Sequence, residues 1–119
     1  MTESKPANVQ KRDTTFKQEH GAVAHLVKSK PQQALARAIA GAQKLLDEGQ
    51  GKQALNVLTL TKPVLSTERP GEMADYYQAL GDIHTAMGAA KPAARAYAQA
   101  AGLDAARTEE LAQKAEAQG

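Results

Sequence analysis

Residues 72–104 read EMADYYQALGDIHTAMGAAKPAARAYAQAAGLD, and the fold of the chain turns on how this stretch divides. Tyr76, Tyr77, Leu80, Ile83, His84 and Met87 recur at three- and four-residue intervals, the spacing that gathers side chains on one side of a helix, so a helix is expected over 72–87. Gly88 ends it, because glycine accepts the left-handed conformation that closes a helix C-terminus. A second helix is expected over 92–101, opening at Pro92. Two helices joined through a glycine turn make a hairpin.

The residues upstream divide the same way. Pro31 opens a helix over 31–48 whose apolar stripe is Leu35, Ala38, Ile39, Ala42, Leu45 and Leu46, and Gly49, Gln50 and Gly51 end it. The next helix is expected over 52–65, with Pro63 kinking it or ending its regular part early, and 67–71 form a loop. After Asp104 comes a last helix to about Ala117 in which Leu111 is the only large apolar residue, a thin stripe suited to a cap with one wet face. Sliding the sequence on itself by 39 residues sets Gly49 on Gly88, Ala54 on Ala93, Leu58 on Tyr97, Leu45 on His84 and Ala38 on Tyr77. Large and small residues thus share stations in both hairpins, so that helices approach closely at one and fill the adjacent hole at the other.

Tyr77, Leu80, Gly81, His84, Ala93 and Tyr97, with Gly88 at the turn and Leu103-Asp104 at the close, resemble the pattern of the tetratricopeptide repeat (TPR) family. His84 stands where an aromatic is usual and Ala105 where proline is usual, and the first hairpin keeps only the spacing, in Ala38, Gly41, Ala42 and Leu45. The resemblance spans 32–117 and implies an all-α, right-handed stack of two hairpins plus a C-terminal capping helix. It divides the chain into a flexible basic N-terminal tail over 1–30, with room for a short helix at 16–28, and a TPR-like domain over 31–119.

By the same resemblance, the first helix of each hairpin lines a concave groove that binds peptides or helices of other proteins. Carried over by position, its residues are Ala36, Ile39, Gln43, Leu46 and Asp47 in the first hairpin and Asp75, Gln78, Asp82 and Thr85 in the second. The family's clamp on a terminal carboxylate needs cationic and amide donors at such positions, and Asp75 and Asp82 repel a carboxylate instead. A partner with an apolar stripe and Lys or Arg flanks fits better, and the chain's own 16–28 segment is one such partner. Helical repeats generally need about three units to bury enough surface, so the missing layer is expected from the tail, from a homodimer or from a permanent partner.

With 119 residues the chain holds at most one compact domain, and one Phe, three Tyr and no Trp leave its core to small and branched side chains. The absence of Cys excludes disulfides and thiolate metal sites. No run approaches the roughly 20 apolar residues of a membrane span, so a cytoplasmic location is the default expectation. Residues 1–31 carry six bases against three acids, or +3, and the remainder nine bases against ten acids, or −1. A basic tail of this kind, with Lys11, Arg12, Phe16 and Lys17 as its contacts, suits an alternative role: an accessory subunit of a larger assembly in which the tail touches RNA or DNA. The polar residues 1–15 are expected to be disordered.

No catalytic or cofactor motif emerges, and no enzymatic activity or metal is expected. His20 and His25 are five apart and His84 lies on another element, whereas metal-binding histidines on a helix want a three- or four-residue spacing. His84 is expected as a packing residue. Adjacent carboxylates such as Asp47-Glu48 point about 100° apart on a helix and share no pocket. Gly49-Gln50-Gly51-Lys52 lacks the spacing of a phosphate loop. Tyr77 and Tyr97 sit at packing stations, which leaves Tyr76 as the surface anchor.

Overall fold

A computed structural model describes residues 7–104 together with 113, 114 and 116, with side chains from Thr14 onward. No strand occurs among the described residues. The chain runs α1 (Ala7–Ser29), α2 (Pro31–Asp47), α3 (Gly51–Thr59), a 3-10 turn (Lys62–Val64), α4 (Pro70–Ala86) and α5 (Ala90–Leu103).

The 39-residue interval reappears in the backbone. Lys30 and Arg69 both precede a helix with ψ 69°, and each is followed by a proline in the first turn, where the missing N–H costs nothing. Gly49 and Gly88 have φ 75° and 76°, the left-handed region that a side chain disfavours. Around them the bonds match pair for pair. Gly49 N–H donates to Leu46 O at 2.9 Å and Gln50 N–H to Leu45 O at 2.8 Å, while Gly88 N–H donates to Thr85 O at 3.0 Å and Ala89 N–H to His84 O at 2.8 Å. This is the paired-bond closure that satisfies the last carbonyls of a helix.

The hairpins differ in their second helices. α3 stops at Thr59 after 9 residues, short of the expected Leu65, while α5 runs for 14. A proline ring clashes with the carbonyl four residues before it, which for Pro63 is that of Thr59. The chain turns there into the 3-10 segment, and the buried Thr61 hydroxyl donates to Leu58 O at 2.8 Å.

The tail departs from expectation. The short helix expected at 16–28 begins at Ala7, taking 7–15 from the stretch read as disordered, and it packs on α2 and α3. Residues 1–6 lie outside the described residues. Tertiary contacts support this helix where its own apolar content is thin. Val23 is fully buried, Phe16 and Val27 rest on the same core, and Thr15 Oγ1 donates to Glu48 Oε2 at 2.9 Å. Gly21 faces solvent. Thus α1 adds a helical layer against α2 and α3.

One core joins Val23 of α1, Leu35, Ala38, Ala42 and Leu45 of α2, Ala54, Val57 and Leu58 of α3, and Tyr76 and Ile83 of α4. A second, made of Ala74, Ala93, Tyr97 and Ala100, joins α4 to α5. Of the expected closing helix, only 113, 114 and 116 are described; they are helical, and Lys114 Nζ stands 5.5 Å from the centre of the Tyr97 ring. The rest of that helix, with Leu111, lies outside the described residues.

Candidate protein-binding groove

α2 and α4 open their 17-residue helices from equivalent prolines and lie in contact, leaving a groove between them. Three adjoining cavities make it up. Gln32, Leu35, Ala36, Ile39, Glu72 and Asp75 line the first. Ile39, Asp75, Gln78, Ala79 and Asp82 line the next. Ile39, Ala42, Gln43, Leu46, Ala79, Asp82 and Ile83 line the last. Ile39 borders all three, which makes it the centre of the floor.

Ala36, Ile39, Gln43, Leu46, Asp75, Gln78 and Asp82 therefore lie together along one groove. Asp47 and Thr85 do not. Asp47, one residue beyond Leu46, is turned by the helical step toward α1, where it borders a separate hollow with Thr15, Gln18, Glu19, Lys44 and Glu48, and its Oδ1 accepts from Gln43 Nε2 at 3.1 Å. Thr85 is held toward α5: its hydroxyl donates to Gly81 O at 2.8 Å and lies 3.3 Å from the Tyr97 hydroxyl. Gln32, Leu35, Ala42, Glu72, Ala79 and Ile83 were missed, although the first five stand three or four residues from Ala36, Ile39 or Asp75, and Ile83 four from Ala79, and so continue the same face.

The groove is electrostatically one-sided. None of the residues lining its three cavities is Lys, Arg or His, and its acids, Glu72, Asp75 and Asp82, all stand on α4. Glu72 is paired with Arg69 at 3.2 Å in an exposed contact of small energetic weight. Asp82 Oδ1 accepts the Tyr97 hydroxyl at 2.5 Å, which fixes the carboxylate on the rim. Burial, reinforced by the bond to Asp82, pushes the Tyr97 phenol up from 10.0 to about 12, so it stays a donor throughout the neutral range.

The 16–28 segment does not occupy the groove, for none of its residues lines the three cavities. α1 lies instead across Gly41, where Glu19 is 3% exposed and its carboxylate lies 3.0 Å from Arg37 Nη2 and 3.4 Å from Lys44 Nζ. A Cβ at Gly41 would stand 2.7 Å from Glu19 Oε1 and 3.0 Å from Glu19 Cβ, so a side chain there would have to displace Glu19. Phe16, expected as a tail contact, is engaged in the core and stacks at a tilt on His20 with ring centres 5.3 Å apart. Lys17 is exposed; the side chains of Lys11 and Arg12 are outside those described.

Tyr76 is not the surface anchor. It is 2% exposed, with its ring edge-on to the half-buried Tyr77 at 5.2 Å, and burial followed by the neighbouring Tyr77 raises its pKa. His84 is half-buried with Nδ1 unpartnered, and burial, then the charge of Arg95, lowers its pKa. No cluster of three or more His, Cys, Asp or Glu suited to a metal occurs among the described residues, and none of their helices is long and apolar enough to cross a membrane.

No family model, no curated protein and no solved structure matches this chain, so the arrangement of its own residues carries the functional reading.

Proposed function

We propose that the chain is a TPR-like protein-binding module, an adaptor or chaperone, whose α2–α4 groove takes a peptide or helix bearing an apolar stripe and basic flanks. The observation that carries this is the continuity of the groove: three cavities share Ile39, with aliphatic residues on the floor and carboxylates on one rim. The equivalent turns at Gly49 and Gly88 support the repeat reading, and α1 supports an unoccupied groove by packing elsewhere.

The test is affinity capture of a partner by the full-length chain and by two variants. Ile39→Glu places a charge on the floor, whereas Asn56→Glu changes an exposed residue of α3 that lines none of the cavities. Loss of a central apolar anchor typically weakens an interface by about tenfold or more, so capture should fall with the first variant and persist with the second. Equal capture by both contradicts the proposal.

A further inference from the structure

We infer that the groove selects a helical ligand rather than an extended one, with two cations seven residues apart along one flank and an aliphatic side chain between them. This rests on the groove reading above and adds the ligand's conformation and register.

The spacing of the carboxylates decides the conformation. Asp75 and Asp82 are seven residues apart on α4, two helical turns, so their Cα atoms stand about 10.5 Å apart on nearly the same face. Both border the cavity that also contains Ile39 and Ala79, so the apolar floor lies between the two charges. A ligand satisfying all of this must offer two cations about 10.5 Å apart on one side and an apolar group between them. On an extended strand the residue pair nearest that spacing is i and i+3, at about 10 Å, but successive side chains alternate sides and these two point apart. The same-side pairs i, i+2 and i, i+4 span about 7 and 13 Å and miss. A helix presents i and i+7 on one face at the required spacing, with i+3 and i+4 between them.

The two rims set the flank. The α2 rim contributes Gln32, Ala36 and Gln43 and carries no charge, while the α4 rim carries Asp75 and Asp82. The matching ligand is thus cationic along the edge that meets α4 and neutral along the edge that meets α2. A ligand with cations on both edges gains nothing from the second.

The experiment uses the full-length protein and two helix-stapled, fluorescently labelled peptides of equal composition and about 15 residues, since unconstrained helices of that length are marginal in water. One places Lys at i and i+7 with Leu at i+3 and i+4. The other moves the second Lys to i+5, about 140° around the helix from the first. Affinity is read by anisotropy at low salt, and the contact surface by amide chemical-shift changes. The in-register peptide is expected to bind about tenfold more tightly and to shift Ile39, Ala79 and their neighbours, and that preference should disappear in Asp75→Asn. Asp75→Asn and Asp82→Asn are both made, and each is checked by its thermal melt because both carboxylates have interactions within the fold, Asp82 with the Tyr97 hydroxyl. Groove shifts with equal affinity for both peptides overturn the register while leaving the groove reading intact. An absence of groove shifts with either peptide overturns both.

Discussion

At Gly41 the α1–α2 joint admits a carboxylate, and at Gly81 the α4–α5 joint admits a phenol ring. Each glycine lies beneath a large side chain that a Cβ would strike: 2.7 Å from Glu19 Oε1 in the first case, 2.6 to 2.9 Å from three atoms of the Tyr97 ring in the second. The first joint closes with an ion pair to Arg37 and Lys44; the second closes with aromatic packing and a hydroxyl that bonds Asp82. The same steric device therefore serves one joint of mainly electrostatic specificity and one of mainly apolar stability. At the stations 39 residues onward, Glu19 becomes Leu58 and Gly41 becomes Leu80, so among the described residues the buried charge belongs to the α1 layer.

The largest effect on this comparison should come from removing the ionic joint altogether. Deleting residues 1–29 uncovers the surface that Val23, Phe16 and Val27 bury, each worth about 1.5–3 kcal/mol at most. With about 4–8 °C per kcal/mol in a domain of this size, the melting temperature should fall by more than about 10 °C. An unchanged melt would mean that α1 adds no layer. Gly81→Ala comes next: overpacking against a ring costs about 1–3 kcal/mol, offset by about 1 kcal/mol of helix propensity, so chemical denaturation should show a net loss.

Tyr97→Phe should cost about 1 kcal/mol through the lost hydroxyl bond, and it carries a pH signature. The folded phenol holds its proton to about 12 while the unfolded one releases it near 10.0, so this group's contribution is complete below pH 10 and is lost as the pH rises to 12. Alkaline unfolding of the wild type should steepen in that window, and Tyr97→Phe should flatten it. The smallest effect is expected from Glu19→Leu, which installs the residue found at the equivalent station. Arg37 and Lys44 keep their contact with water, so stability should stay within about 1 kcal/mol of wild type, whereas a larger loss would show that the ion pair stabilises the joint outright.

What could be read in the sequence follows from how local its causes are. Pro31, Gly49 and Gly88 each constrain the backbone through a single residue, so the helix starts and turns were legible; Pro63 left a kink and an early end open, and α3 in fact stops at Thr59, short of the expected Leu65. Packing of the tail on the first hairpin was among the expectations, but the ionic chemistry of the α1 joint was not, because Glu19 finds its partners 18 and 25 residues away and a lone glutamate in a polar helix advertises nothing. The groove residues came from the family resemblance, carried over by position, and Ala36, Ile39, Gln43, Leu46, Asp75, Gln78 and Asp82 do share one groove. The carry-over failed where neighbours decide direction: Asp47 is drawn toward Gln43 and the α1 hollow, and Thr85 toward Gly81 and Tyr97. Tyr76 and Tyr77 are one residue apart, and which of them enters the core depends on α4 packing against both α2 and α3.

With α1 packed on α2 and α3, the α2–α4 groove is left open for the proposed partner. A photo-reactive residue at Gln43, which is exposed and lines the groove, tests this in the full-length protein, with the same residue at Asn56 as the reference position. Intermolecular adducts are expected from position 43 and not from position 56. Adducts from position 43 to residues 7–29 of the same chain would place α1 in the groove and contradict it.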